Sequence, residues 1–159
     1  GGDTGAAVPT SASTSPPATA FPTATTAPAG TEFQIPIQLR GAQDLGSLYV
    51  SLDYDPAVVE IVRLDYAALP ANTLTDHELG QGRVTVGLVN AGGFGGDWTV
   101  AFMTCRRAAG AAASGDSTVV ISEVQAHRAT DLAGLPAYGS NGHINLSSLE
   151  VAAPTITFG

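Results

Sequence analysis

"LYVSLDYDPAVVEI", Leu48 to Ile61, decides the fold. Leu48, Val50, Leu52 and Tyr54 alternate with Tyr49, Ser51 and Asp53, which is the period of a strand with one buried face. Asp55-Pro56 then stops the strand. Pro56 fixes φ and carries no N–H, so it suits the first position of a tight turn. Val58, Val59 and Ile61 return to the core on the next strand, after at most one short turn. Asp53 and Asp55 can accept turn amides, which makes Tyr54, Asp55 and Pro56 a structural corner.

The same texture runs outward from this corner. In "TEFQIPIQLRG", Phe33, Ile35, Ile37 and Leu39 share one face. Pro36 cannot donate to a ladder, so this strand belongs at an edge or a bulge. "RVTVGLVN" (83–90), "WTVAFMTCRR" (98–107), "STVVISEVQAH" (117–127) and "GHINL" (142–146) read as further strands. "GAQDLG", "ELGQG", "AGGFGGD", "AAGAAASGD" and "YGSNG" read as the turns between them. Short strands, Gly-rich turns and no amphipathic helix predict an all-β antiparallel β-sandwich. Its expected core contains Phe33, Ile35, Ile37, Leu39, Leu48, Val50, Leu52, Val84, Val86, Val119 and Ile121.

The 159 residues leave room for one domain and a tail. All six basic residues are Arg, none is Lys, and the net charge is −8. Such a chain lacks the cationic surface that nucleic acid or anionic lipid requires. No apolar run is long enough to span a membrane. Cys105 is the sole cysteine, so one chain builds neither a disulfide nor a thiolate metal site.

Residues 1–28 are rich in Ser, Thr, Pro, Ala and Gly, with Val8 and Phe21 the only sizeable apolar residues. Too little apolar surface is present there to offset ordering entropy. They read as an extended linker or stalk suited to O-glycans, or as a segment that orders against a partner chain. The start at Gly1 suits a mature or cut chain. A lipoprotein whose modified Cys preceded Gly1 and a cleaved tag fit equally. Residues 148–159 form a C-terminal extended segment.

Catalytic and metal signatures are missing. No Gly-x-Ser-x-Gly elbow occurs. His77-Glu78 begins like a zinc-protease helix, but Gln81 stands where the second His is needed. His127 and His143 are scattered elsewhere. The loop Gly92–Gly96 lacks the Lys-Ser/Thr of a phosphate loop and leads into a strand. Asp53 with Asp55, or Asp76 with Glu78, share a strand face and can in principle hold calcium, although a solvated edge is the simpler reading. Trp98, Tyr49, Tyr66 and Tyr138 offer material for a sugar-stacking strip, and Trp98 equally suits packing at the end of a sandwich. Asn145-Leu146-Ser147 is a formal N-glycan sequon. No cofactor is expected.

"GTEFQIPIQLRG" and "GAQDLGSLYVSLDYDPAVVEIVRL" resemble the opening strands of a cohesin module. "GQGRVTVGLVNAGGFGGDWTVAFMTCRRAAG" is similar to its middle, and "STVVISEVQAHRATDLAGLPAYGSNGHINL" to its last hairpin. The resemblance covers about residues 29–147. It implies a jelly-roll of about nine strands in two sheets. It also implies docking as the work: one sheet face of a cohesin binds a dockerin, a calcium-binding paired-helix module. Cys105 and Arg106-Arg107 depart from the usual alternation, so a bulge or register shift is expected there.

These readings together predict a non-catalytic extracellular or cell-surface docking module. A self-assembling filament subunit is the nearest alternative. Its strand-addition segments would carry Phe21, Leu149, Val151, Ile156 and Phe158, supplied to neighbouring copies or paired within the chain itself. A polysaccharide-binding module comes third.

Overall fold

Period-two alternation becomes strand throughout the computed structural model, which describes residues 31–159. In order these are β1 (Glu32–Asp53), β2 (Val59–Tyr66), β3 (Leu74–Leu79), β4 (Arg83–Arg107), β5 (Asp116–Arg128), β6 (Ala137–Ser140), β7 (Gly142–Asn145), β8 (Glu150–Ala152) and β9 (Thr155–Phe158). The described residues contain no helix. The stretch 1–28, including Phe21, lies outside them.

Two long strands organise everything. β1 and β4 pair antiparallel along nearly their whole lengths, from Glu32 opposite Arg106 to Asp53 opposite Arg83. Both bend midway, so each contributes one half to each layer of a sandwich. The first layer runs β3–β4–β1–β5, using residues 83–89 of β4 and 47–53 of β1. The second runs β2–β4–β1–β9–β6, using residues 98–107 and 32–40. β5 also pairs with β7, and β7 with β8.

The bends correct the sequence reading of "GAQDLG" and "AGGFGGD" as turns. The chain does not reverse there. Ala42 still faces Gly96 and Leu45 still faces Phe94, with register shifts on either side. Matched bulges in neighbouring strands let both turn the corner together. Glycine is required at this crossing: Gly93 has φ 72°, and a Cβ on Gly95 would lie 2.9 Å from the Ala42 carbonyl oxygen.

Ten of the eleven expected core residues are buried, among them Ile35, Val50, Leu52, Val84 and Val119 at 0% exposure. Ile121 is the exception, half-buried against the edge of the cluster. Tyr54 completes its strand's inner face. At the corner, the Asp55 carboxylate accepts the Ala57 N–H (2.9 Å) and the Asp55 carbonyl accepts those of Val58 and Val59. The Tyr54 hydroxyl donates to the Gly80 carbonyl. Asp53 does not join this turn, because its carboxylate is held by Arg83.

Pro36 sits at an open edge. The Gln38 N–H donates to Pro154 O, away from β4. Two residues earlier, Pro36 aims its ring nitrogen to the same side, ahead of where β9 begins to pair. The irregularity expected near Cys105 falls on the partner strand: the β2–β4 register shifts between Ile61 and Arg63, opposite Cys105 and Thr104.

The C-terminal segment pairs within its own chain. β9 runs parallel to β1 and antiparallel to β6. Leu149, Ile156 and Phe158 are buried and Val151 is half-buried against the core.

Candidate functional site

The two layers present different outer faces. On the second layer, charges neutralise one another within and between strands. Arg106 pairs with Glu60 at 2.9 Å, and Arg63 with Asp65 and Glu32 at 3.2 and 3.7 Å. This is a solvated face.

The first layer is different. Cross-strand partners share a face, so its outer surface reads off the register as rows. Leu74, Val89, Ser47 and His127 make one row, and Asp76, Gly87, Tyr49 and Gln125 the next. Glu78, Thr85, Ser51 and Glu123 make a third. Leu74, Val89 and Tyr49 are 72%, 50% and 40% exposed. Three large apolar side chains left in water on adjacent positions of one sheet form a patch, where isolated ones would need no explanation. A shallow concavity of about 390 Å³ opens between them, floored by Gly87 and flanked by Ser47, Asp76 and His127. A smaller hollow continues past Asp76 and Gly87 towards Glu78 and Thr85.

β3 borders this face and is supported from below. The Tyr66 hydroxyl donates to the Asp76 carbonyl at 2.5 Å and approaches the Gly87 carbonyl at 3.5 Å. Its ring meets His77 edge-on, centroids 5.6 Å apart. Burial, with the charge of Asp76 adding, pushes the Tyr66 phenol up to about 12, so it stays a donor at neutral pH. The outer edge of β3 is blunted locally, since the Asp76 carboxylate accepts the His77 N–H at 2.9 Å.

The other candidates do not converge. Tyr49 lies on the first layer's outer face, Tyr66 in β2 and Tyr138 in β6, while Trp98 packs edge-on against Phe94 at the strand bend. They form no stacking strip. Among the described residues, no three His, Cys, Asp or Glu side chains group as metal ligands. Asp53 is engaged by Arg83, His77 by Tyr66, and His143 by Asp116. The Asn145 side-chain oxygen accepts from Ser147 and Ser148 in a local turn. Cys105 is buried, which pushes its thiol up to about 12 and leaves it unreactive. No described helix is long and apolar enough to cross a membrane.

Fold and face together define a class: a jelly-roll sandwich with one ion-paired outer face and one exposed apolar face. Several solved cohesin modules share this fold. The non-cellulosomal cohesin of Archaeoglobus fulgidus superimposes with a TM-score of 0.58 at 20% identity, over 82% of each chain. The sixth cohesin of Acetivibrio cellulolyticus scaffoldin B, solved with a Cel5 dockerin, gives 0.56 at 15% identity over 85% of this chain and 93% of that one. A type I cohesin of Clostridium thermocellum, also in a dockerin complex, gives 0.57 at 10% identity over 84% and 92%. No family model and no curated protein matches the sequence. The chain therefore has a cohesin-like fold.

Proposed function

We propose that this chain is a non-catalytic docking module that works outside the cell, and that the outer face of β3–β4–β1–β5 receives a protein partner of the dockerin kind. The observation that carries this reading is the contiguous patch of Tyr49, Leu74 and Val89 around a concavity on the outer face of the first layer. Leaving such a patch in water is unfavourable unless a partner covers it. Two of the structures with this fold hold dockerins, which makes that class the first to try. The Ser/Thr/Pro composition of residues 1–28 supports a stalk that holds the module away from a surface.

Titration calorimetry of the full chain against a panel of calcium-loaded dockerin modules tests this. A saturable one-to-one complex is expected, weakened at least tenfold by Val89→Asp with thermal unfolding unchanged. Absence of any binder in the panel, or binding indifferent to Val89→Asp, counts against the reading. Complexes between copies of the chain in sedimentation would favour self-assembly instead.

A further inference from the structure

We infer that the β6–β9–β1 side of the second layer's outer face binds a neutral glycan chain, with the Tyr138 ring as the platform for a sugar and the Arg40 guanidinium as the donor to its hydroxyls. The site lies on the opposite layer from the face proposed above for a protein partner and stands independently of it.

The ion pairs of the second layer stop short of β9. Beyond them the register sets two rows across the sheet, Tyr138, Thr157 and Arg40 in one, and Ser140, Thr155, Gln38 and Thr99 in the next. Neither row carries a carboxylate, in a chain whose net charge is −8. Arg63, Arg83, Arg106 and Arg128 each hold an acid, and Arg107 is engaged as well. Arg40 is exposed and makes no ion pair or side-chain hydrogen bond among the described residues. The Asp97 carboxylate accepts the Gly41 N–H at 2.8 Å instead. A planar fork of N–H donors is thus left to water.

Tyr138 is 62% exposed, and neither its ring nor its hydroxyl has a partner among the described residues. It provides one aromatic platform where a strip is lacking. Two strand spacings, about 10 Å, separate it from Arg40, a distance that a disaccharide covers. The Thr157 hydroxyl lies between them in the row, unengaged among the described residues. In the next row Gln38 Oε1 accepts from Thr99 at 3.1 Å, which leaves its amide nitrogen as a further donor.

The chemistry of these groups selects the ligand. An exposed tyrosine offers an apolar ring face with a polar tip, which matches the C–H face of a pyranose and its rim of hydroxyls. Guanidinium, amide and hydroxyl groups beside it match oxygens spaced along a sugar chain. Tyr138 is the one large side chain with an apolar face in either row, so the site lacks the apolar core that a protein interface needs. The negative charge of the whole chain disfavours a polyanion, so the glycan is neutral.

Native affinity electrophoresis of the full chain through gels holding β-glucan, xylan, galactomannan or polygalacturonate tests this. Retardation by at least one of the three neutral polysaccharides is expected, and it should persist at about 0.5 M salt, where contacts between exposed charges are screened. Tyr138→Ala and Arg40→Ala, both at exposed positions, should each weaken it at least fivefold. Arg40→Lys, which keeps the charge and loses the fork, should weaken it as well. Val89→Asp on the other layer should leave it unchanged. Retardation by polygalacturonate alone, retardation that survives both alanine variants, or none in any gel overturns the glycan site and leaves the docking reading untouched.

Discussion

Asp53 and Arg83 face each other at the far end of the β1–β4 ladder and form a two-pronged ion pair, Nε to Oδ1 at 2.7 Å and Nη2 to Oδ2 at 3.1 Å. The Arg83 guanidinium, through these hydrogen bonds first and its charge second, holds the Asp53 carboxyl below its ordinary value. Arg128 does the same for Asp131 through a similar two-pronged contact. A carboxyl depressed in the folded state favours folding above its unfolded pKa, about 3.9. That contribution drains away as pH falls through the lower folded value. The double variant Asp53→Asn with Asp131→Asn should therefore lose least, relative to wild type, in the most acidic samples. Both pairs are exposed, so the difference at neutral pH should be small. Melting temperatures measured from pH 2 to 7 check this; a gap that widens towards low pH would contradict it.

Tyr66 links β2 to the border of the exposed apolar face. Its hydroxyl holds the Asp76 carbonyl, and apart from the ladder with β4 little else fastens β3, whose six residues are all exposed. Tyr66→Phe should cost about 0.5–1.5 kcal/mol, the usual net value of one such hydrogen bond. The local effect should exceed the global one. Hydrogen exchange should speed up in Leu74–Leu79 more than in β1, and a uniform increase across the sandwich would refute the tether.

Leu52 tests the first layer's core. It is fully buried, between Val84 on β4 and Ile121 on β5 in the pairing register. Leu52→Ala should remove about 2–5 kcal/mol of unfolding free energy, as transfer and cavity terms add. Urea denaturation measures it directly.

How far the sequence could be read follows from which signals are local. Alternation at Phe33–Leu39 and Leu48–Tyr54 is carried by each segment alone, and both segments became strands with the expected inner face. Pro36 announces its own missing donor, and an open edge lies beside it. β3 carried no such signal. "LTDHEL" buries nothing, so neither of its faces shows an apolar period, and it is held only by β4 and Tyr66. Glycines misled for a related reason: they mark a place where backbone geometry is special, without saying whether the chain reverses or merely bends. Only the pairing of Ala42 with Gly96 separates the two. The exposed apolar face was hidden altogether, because Leu74, Gly87 and Tyr49 become neighbours through strand register across three strands.

Ser51 offers a substitution in the opposite direction. It points outward in the third row of the face, yet it is only 2% exposed, and its Oγ has no hydrogen-bond partner. A buried hydroxyl left unsatisfied costs about 1–3 kcal/mol. Ser51→Ala removes that group and little volume. It should be neutral or raise the melting temperature, whereas most buried-site truncations lower it. A clear loss of stability would mean that the hydroxyl makes a bond in solution.

The C-terminal strand carries the last expectation. Edge strands must be covered or blunted, and this sequence has no Lys for the purpose. β9 covers part of the β1 edge instead. It runs parallel from Gln38 to Arg40, with Pro154 O accepting the Gln38 N–H, and it brings buried Ile156 and Phe158 into the sandwich. Deleting Thr155–Gly159 therefore removes ladder bonds and core at once. It should also uncover β1 next to Pro36, where an exposed edge invites pairing with another copy. The truncated chain should melt earlier and with less cooperativity, and light scattering should detect new association. Ile156→Ala keeps the backbone pairing while opening a cavity, so it should lower stability by about 2–5 kcal/mol without promoting association. A strand that served a neighbouring copy would behave in reverse. Its deletion would leave the monomer's melting curve unchanged and abolish association, and that result would return the C-terminal segment to the role of donor.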